Sequence, residues 1–164
     1  MRKLAVLFVC MIFTGLIAAN AQESASSVNV KAVRSVKAKR TINTEDAPKA
    51  IGPFSQAVEV NGILYISGQL PLDASSGKIV DGGISEQVGQ VMKNIGAVLK
   101  AAGYDYSDVV KSTCMLSDMD NFKDFNTVYG KYYPVDPPAR ATFGVVKLPL
   151  GALVEIEAVA IKSK

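Results

Sequence analysis

Arg140 is the residue with the clearest chemical potential in this chain. It follows Pro137-Pro138-Ala139, whose prolines fix the backbone, and it opens an otherwise uncharged run over 141–146. A guanidinium on a rigid strand end is placed to grip a carboxylate through two parallel hydrogen bonds. A solvated strand-edge arginine is the other reading. Glu155 and Glu157 lie in the strand-like run LVEIEAVAI at 153–161. Alternation puts both on one face, roughly 7 Å apart, and that face continues with the apolar Val159 and Ile161. A carboxylate there costs free energy unless it is paired or used, or unless the strand end is wet. A buried glutamate has a raised pKa and serves as general base or acid near neutrality. Ser67 precedes Gly68-Gln69. With no histidine to activate it, its role is hydrogen bonding rather than nucleophilic attack. Cys114 sits mid-strand among β-prone residues and reads as core packing. Tyr129, Tyr132 and Tyr133 recur at helical spacing and read as core or interface, not as a base-stacking platform.

The composition removes other chemistries. There is no histidine and no tryptophan among the 164 residues. Ser-His and Cys-His dyads, imidazole proton shuttles and histidine-liganded zinc or haem are therefore excluded. Two cysteines, Cys10 and Cys114, are too few for a disulfide framework or a cysteine-rich metal site. Neither GxGxxG nor GxxxxGK[ST] occurs, and no paired metal-ligand spacing occurs, so neither a phosphate-binding loop nor a metal site is read from the motifs. The formal net charge of +3 comes from the N-terminal part. From Thr41 onward, 11 Lys/Arg face 14 Asp/Glu, a balance of −3. That part is not built to grip a polyanion.

The elements that must position these residues follow from the pattern. Two short β-type runs at 56–60 and 63–67 flank Asn61-Gly62, the strongest short-range hairpin signal. Residues 68–83 are loop-like, with Pro71, Ser75-Ser76-Gly77 and Gly82-Gly83. From 84 to 102, Ile84, Val88, Val91, Met92, Ile95, Val98 and Leu99 recur every three and four residues, the signature of an amphipathic helix. Gly103 supplies its left-handed cap. A third β-type run spans 109–116. Asp120 can cap a second helix whose stripe is Phe122, Phe125, Val128, Tyr129 and Tyr132, stopped by Pro134, Pro137 and Pro138. Strands at 140–147 and 153–161 complete the order β-β-α-β-α-β-β. Both helices bury their stripes most simply on one face of a single sheet.

Three segments divide the chain. Residues 1–21 read as a secretory signal: Arg2 and Lys3 precede an uncharged apolar run, and Ala19-Asn20-Ala21 is a small-x-small cleavage site. The run is shorter than the roughly 20 residues of a spanning helix; an uncleaved membrane anchor is the other reading. Cys10 lies within that run, not after it, which argues against lipid attachment. Cleavage after Ala21 leaves Cys114 alone, so the mature protein forms no internal disulfide, and a periplasmic or secreted location is expected. Residues 22–40, serine-rich then basic, read as a flexible linker. Residues 41–164 form one domain with its own core.

Several segments, in order, resemble the reactive-intermediate (imine/enamine) deaminase family, Rid, whose older names are translation inhibitor and L-PSP endoribonuclease. They are AIGPFSQA at 50–57, ISGQ at 66–69, residues 94–103, VVKST at 109–113, DFN at 124–126, PARAT at 138–142 and VEIEA at 154–158. The resemblance implies a chorismate-mutase-like α+β fold, a mixed six-stranded sheet with two helices on one face, and a homotrimer with sites between subunits. It implies cofactor-independent hydrolysis of 2-iminobutanoate- and 2-iminopropanoate-type substrates to 2-keto acids and ammonia.

The family's carboxylate-binding arginine falls on Arg140, its water-positioning glutamate on Glu155, its motif serine on Ser67 and its helix asparagine on Asn126. Phe54 stands where tyrosine is usual, and Thr142 where many members have cysteine; both belong to the implied substrate site. In the implied mechanism, Arg140 and the Thr142 N–H hold the carboxylate while Glu155 takes a proton from the attacking water. Three rivals remain from sequence alone: a carboxylate-binding trimer without turnover, an endoribonuclease, and a purely structural trimer. No nucleic acid partner and no membrane span after signal cleavage are expected.

Overall fold

The computed structural model describes residues 38–162. The signal-like segment, Cys10 and all but the last three residues of the linker segment lie outside that range. Six strands form one sheet: β1 (Arg40–Ile42), β2 (Ala57–Val60), β3 (Ile63–Gln69), β4 (Val109–Leu116), β5 (Ala139–Gly144) and β6 (Val154–Ile161). Two helices, α1 (Ile84–Ala102) and α2 (Phe122–Tyr129), join them. The spatial order is β1-β2-β3-β6-β4-β5. All neighbours are antiparallel except β4 and β5. A parallel pair cannot be joined by a tight turn, and α2 lies in its crossover.

Local sequence explains most of these elements. Asn61 and Gly62 both take positive φ, 54° and 79°, as a two-residue hairpin turn requires. All seven apolar residues of the predicted α1 stripe are buried. The helix starts where the Glu86 carboxylate accepts the Gly83 N–H at 2.9 Å, and it stops at Gly103 with φ 86°. The α1 stripe packs on Leu64, Ile66, Cys114, Leu116, Ile156 and Ala158, the inward residues of the central strands, in one core. Phe125 and Tyr129 bring α2 into the same core. This is the α+β sheet with two helices on one face.

Four local expectations need correction. The sixth strand, β1, begins at Arg40, the last residue of the linker segment; it is three residues long and gains its place by pairing Arg40 with Glu59. The expected strand 63–67 runs on to Gln69 through a bulge. The expected strand 140–147 ends at Gly144, because Val145 is the last residue to bond β4 and Val146 is fully exposed. The cap ahead of α2 is Asp118, not Asp120. Its carboxylate accepts the Asp120 N–H at 2.9 Å and opens a one-turn 3-10 helix at Met119–Asn121.

Candidate functional site

Arg140 stands on β5, the edge strand, opposite Ser112 of β4. Ser112 is fully buried under the helices, so Arg140 points to the helix-covered side. There α2 receives it. Its Nη2 donates to Asn126 Oδ1 at 2.7 Å, and its guanidinium carbon lies 4.8 Å from the ring centre of Tyr129, 5.2 Å from Phe125 and 5.8 Å from Phe122. Three ring faces and one neutral amide hold the cation in place without neutralising it. The ion pairs among the described residues are Arg40–Glu59, Lys49–Glu45 and Lys162–Asp108, and none includes Arg140. A half-buried guanidinium with donors left over can receive a carboxylate.

Thr142 shares that side of β5. Its Oγ1 is buried, with the Cys114 thiol beside it as a weak hydrogen-bonding neighbour. Burial pushes the Cys114 thiol up to about 12, so it packs rather than attacks. The Val145 N–H bonds the Leu116 carbonyl of β4. By alternation, the N–H groups of Arg140, Thr142 and Gly144 point away from β4, toward the open sheet edge. The Thr142 amide and the Arg140 side chain thus belong to one edge of the sheet. Beside them is an open depression of about 390 Å³ between Asn126, Tyr129 and Tyr133 on one side and Pro137-Pro138 on the other.

Glu155 belongs to the opposite face. It pairs with Met115, whose neighbours Cys114 and Leu116 are the buried ones. Among the described residues, no helix lies over this face. Glu155 and Glu157 do share it with Val159 and Ile161, as their spacing requires, but within one chain the face is uncovered: Tyr65, Phe143 and Ile161 are 47%, 53% and 44% exposed. Glu157 is exposed and Glu155 half-buried. Burial raises the Glu155 pKa above the ordinary glutamate value, and the nearby Glu157 charge adds to the rise. No hydrogen bond or ion pair engages the Glu155 carboxylate among the described residues.

What seats that carboxylate is an absence. At the bulge in β3, Ser67 and Gly68 together oppose one residue of β6. A β-carbon at Gly68 would collide with Glu155 Oε1 and lie 3.0 Å from the carboxyl carbon. Gly68 has no left-handed φ to explain it, so the glycine is there for space. Ser67 acts by hydrogen bonding: its Oγ donates to the Ser55 carbonyl at 2.7 Å and its N–H to the Gln56 carbonyl at 3.1 Å. This ties Glu155's surroundings to the 43–56 loop, where Phe54 is 54% exposed. Phe54 lines a separate open depression with Asn43, Lys49 and Ala50.

The expected site residues therefore fall into two groups in one chain. Arg140, Asn126 and Thr142 lie together on the helix-covered edge. Glu155, Ser67 and Phe54 lie around the β3 bulge. β6 and β5 are separated by β4, roughly 10 Å, and the two side chains project to opposite faces. One chain does not bring Arg140 and Glu155 together.

Sequence reasoning missed the seat at Gly68 and the ring cradle of Phe122, Phe125 and Tyr129, which it read as a core stripe. It also missed three buried amides that hold irregular backbone. Gln56 bonds Thr44 and Pro48; Asn94 bonds the Leu70 and Leu72 carbonyls; Gln87 accepts the Leu153 N–H at 2.8 Å, two residues before Glu155. For Gln87 and Asn94 the available signal was polar residues interrupting the buried stripe of α1.

No group of three or more His, Cys, Asp or Glu that could hold a metal exists among the described residues. Among them, no helix is long and apolar enough to cross a membrane.

Residues 44–162 match the family described as Endoribonuclease L-PSP. The chain is 50% identical over 124 residues to the human 2-iminobutanoate/2-iminopropanoate deaminase, covering 76% of this chain and 90% of that protein. It resembles the crystal structure of a putative endoribonuclease from Thermotoga maritima, with a TM-score of 0.75 and 43% identity, over 76% of this chain and 98% of the other. It also resembles Escherichia coli TdcF with bound serine, with a TM-score of 0.73 and 32% identity, over 76% and 99% of the two chains.

Proposed function

The chain belongs to the Rid (endoribonuclease L-PSP) family, and from that premise we propose that it is a cofactor-independent deaminase. It hydrolyses 2-imino acids of the 2-iminobutanoate and 2-iminopropanoate type, with their enamine tautomers, to 2-keto acids and ammonia. The observation that carries this reading is the pair of unneutralised charges. Arg140 is held by rings and an amide, without a carboxylate. Glu155 is half-buried without a hydrogen-bond donor. Each charge is costly to keep in that state, and a site that takes an anion at one and a water at the other uses both. TdcF holding serine, a molecule with the same α-carboxylate, supports the choice of ligand class.

Because the two groups face opposite sides of one sheet, the working site joins two copies of the chain. The uncovered sheet face with Tyr65, Phe143 and Ile161 supplies apolar surface for a closed homotrimer. In the site, Arg140 and the Thr142 N–H of one copy hold the substrate carboxylate. Asn126 keeps the guanidinium aimed. Glu155 of the neighbouring copy, with Ser67 and Phe54 near it, orients a water. An enamine first tautomerises to the imine. Glu155 accepts a proton as the water oxygen bonds the imine carbon, and the imine nitrogen is protonated. The carbinolamine then collapses: Glu155 passes its proton to the amine nitrogen, the hydroxyl loses its own proton to solvent, and the C–N bond breaks to release ammonia and the keto acid. Imines already hydrolyse in water, so positioning and one general base suffice, at about tenfold per 1.4 kcal/mol.

The decisive experiment mixes two dead chains. Arg140→Ala and Glu155→Gln are each expected to lose imine hydrolysis as homotrimers. Co-expressed in equal amounts and assembled at random, they pair an intact Arg140 with an intact Glu155 at about a quarter of all sites, one in each mixed trimer. Recovery of activity toward that fraction, measured as keto-acid release, is the expected result. No recovery in folded mixed trimers rules out the shared site. Wild-type trimer that accelerates no imine over buffer, yet binds keto acids at Arg140, would make the protein a carboxylate receptor. RNA cleavage is disfavoured by the −3 balance after Thr41 and the lack of histidine.

We also propose that the protein is exported. Arg2, Lys3, the apolar run and Ala19-Asn20-Ala21 support that reading. Amino-terminal sequencing of the mature protein is expected to start at Gln22, and an intact Met1 terminus would reject it.

A further inference from the structure

Gly130 is the residue for which the backbone offers no reason. It caps α2 at φ −60° and ψ −24°, ordinary right-handed geometry that any residue adopts. Glycine there weakens the helix relative to alanine. A β-carbon at Gly130 would meet no atom within 4 Å, so no close approach demands glycine either. What Gly130 does adjoin is the depression of about 390 Å³ that also contains Arg140. That volume is within the range of ligand pockets, roughly 300–1,000 Å³. Tyr129 and Tyr133, both more than nine-tenths buried, line it together with Pro137 and Pro138. Tyr129 and Tyr133 are themselves fixed, their ring centres 4.9 Å apart in the core. The Arg140 cation is the anchoring charge, and among the described residues it pairs with no carboxylate.

We propose that this depression is the subsite for the substrate's carbon substituent, and that Gly130 is its specificity-determining residue. The inference rests on the deaminase reading for its ligand. With the substrate carboxylate on Arg140 and the Thr142 amide, the group on C2 lies along the Tyr129–Tyr133 wall. Its class is an apolar or aromatic substituent larger than methyl, since ring and prolyl surfaces gain free energy by covering hydrocarbon and lose it by covering charge. A side chain at position 130 fills the space that such a substituent would take.

The test uses the full chain with Gly130→Leu, and with Gly130→Ala as a fold-preserving control. Imines are generated in place by an amino-acid oxidase from phenylalanine and from alanine. Gly130→Leu is expected to lower kcat/KM for the benzyl imine by about tenfold more than for the methyl imine, with Gly130→Ala between. Equilibrium binding of phenylpyruvate and pyruvate provides a second readout. Phenylpyruvate is expected to bind wild type more tightly, and that preference to vanish in Gly130→Leu. Equal losses on both imines, or none, overturn the subsite while leaving the deaminase reading intact. Wild type inert toward every imine, with the phenylpyruvate preference still abolished by Gly130→Leu, keeps the subsite and removes the deaminase. Wild type that binds the two keto acids equally removes the subsite.

Discussion

The two faces of the sheet hold their key charges in opposite ways. On the helix-covered face, Arg140 is gripped by what surrounds it: three aromatic rings and the Asn126 amide. On the uncovered face, Glu155 is placed by what is missing, a side chain at Gly68. The first arrangement fixes a cation and, in the proposed site, presents it to an incoming anion. The second leaves a carboxylate with free lone pairs and an elevated pKa. A rigid clamp and a lightly held base are different devices, and the fold separates them by building one against α2 and the other against a bulge.

The sharpest break in that contrast is removal of the clamp. Arg140→Ala is expected to lower kcat/KM at least about a hundredfold, mainly through KM, because a paired charge loses its partner. Arg140→Lys should recover little, since an ammonium lacks the fork that fits both carboxylate and Asn126. If lysine restores activity, the clamp is a charge and not a geometry. Glu155→Gln removes the base and should cost roughly a hundredfold in kcat with KM nearly kept. A KM effect instead would place Glu155 in binding.

Gly68→Ala tests whether space alone seats the base. The carboxylate must swing off the bulge toward water, so kcat should fall about tenfold. The acid limb of the pH–rate profile moves as well. The base acts when deprotonated, so activity rises with pH through the Glu155 pKa, which burial sets above the ordinary glutamate range. Returning the carboxylate to water lowers that pKa, and the limb should shift to lower pH. An unmoved limb would mean that Gly68 does not seat Glu155. The smallest effect is expected from Glu157→Gln. It removes the second cause of the raised pKa and should lower the acid limb slightly, with little change in rate on the plateau.

Legibility from sequence followed the range of the forces involved. The hairpin at Asn61-Gly62 and the whole of α1 were readable because turn chemistry and helical periodicity are local. The strand expected over 140–147 stops at Gly144 because its end depends on where β4 stops offering carbonyls, a fact of pairing. The three-residue β1 left no periodic trace at all and exists through its register with β2. At the site, Arg140 and Glu155 stood out as charges in apolar strands, and the family resemblance supplied their roles. Their faces were not both legible. Alternation showed which residues share a face within one strand, yet it does not relate β5 to β6 without the sheet order.

Sequence by itself therefore determined the element types, the candidate residues and the chemistries excluded by the lack of histidine. Those depend on residue identity and on spacings of a few residues. Tertiary structure alone decided that Arg140 faces α2 while Glu155 faces the uncovered side, that Gly68 is the carboxylate's seat, and that Asn126 aims the guanidinium. Each of those depends on strands brought together from distant parts of the chain, where pairing register and side-chain volume, not local propensity, set the outcome.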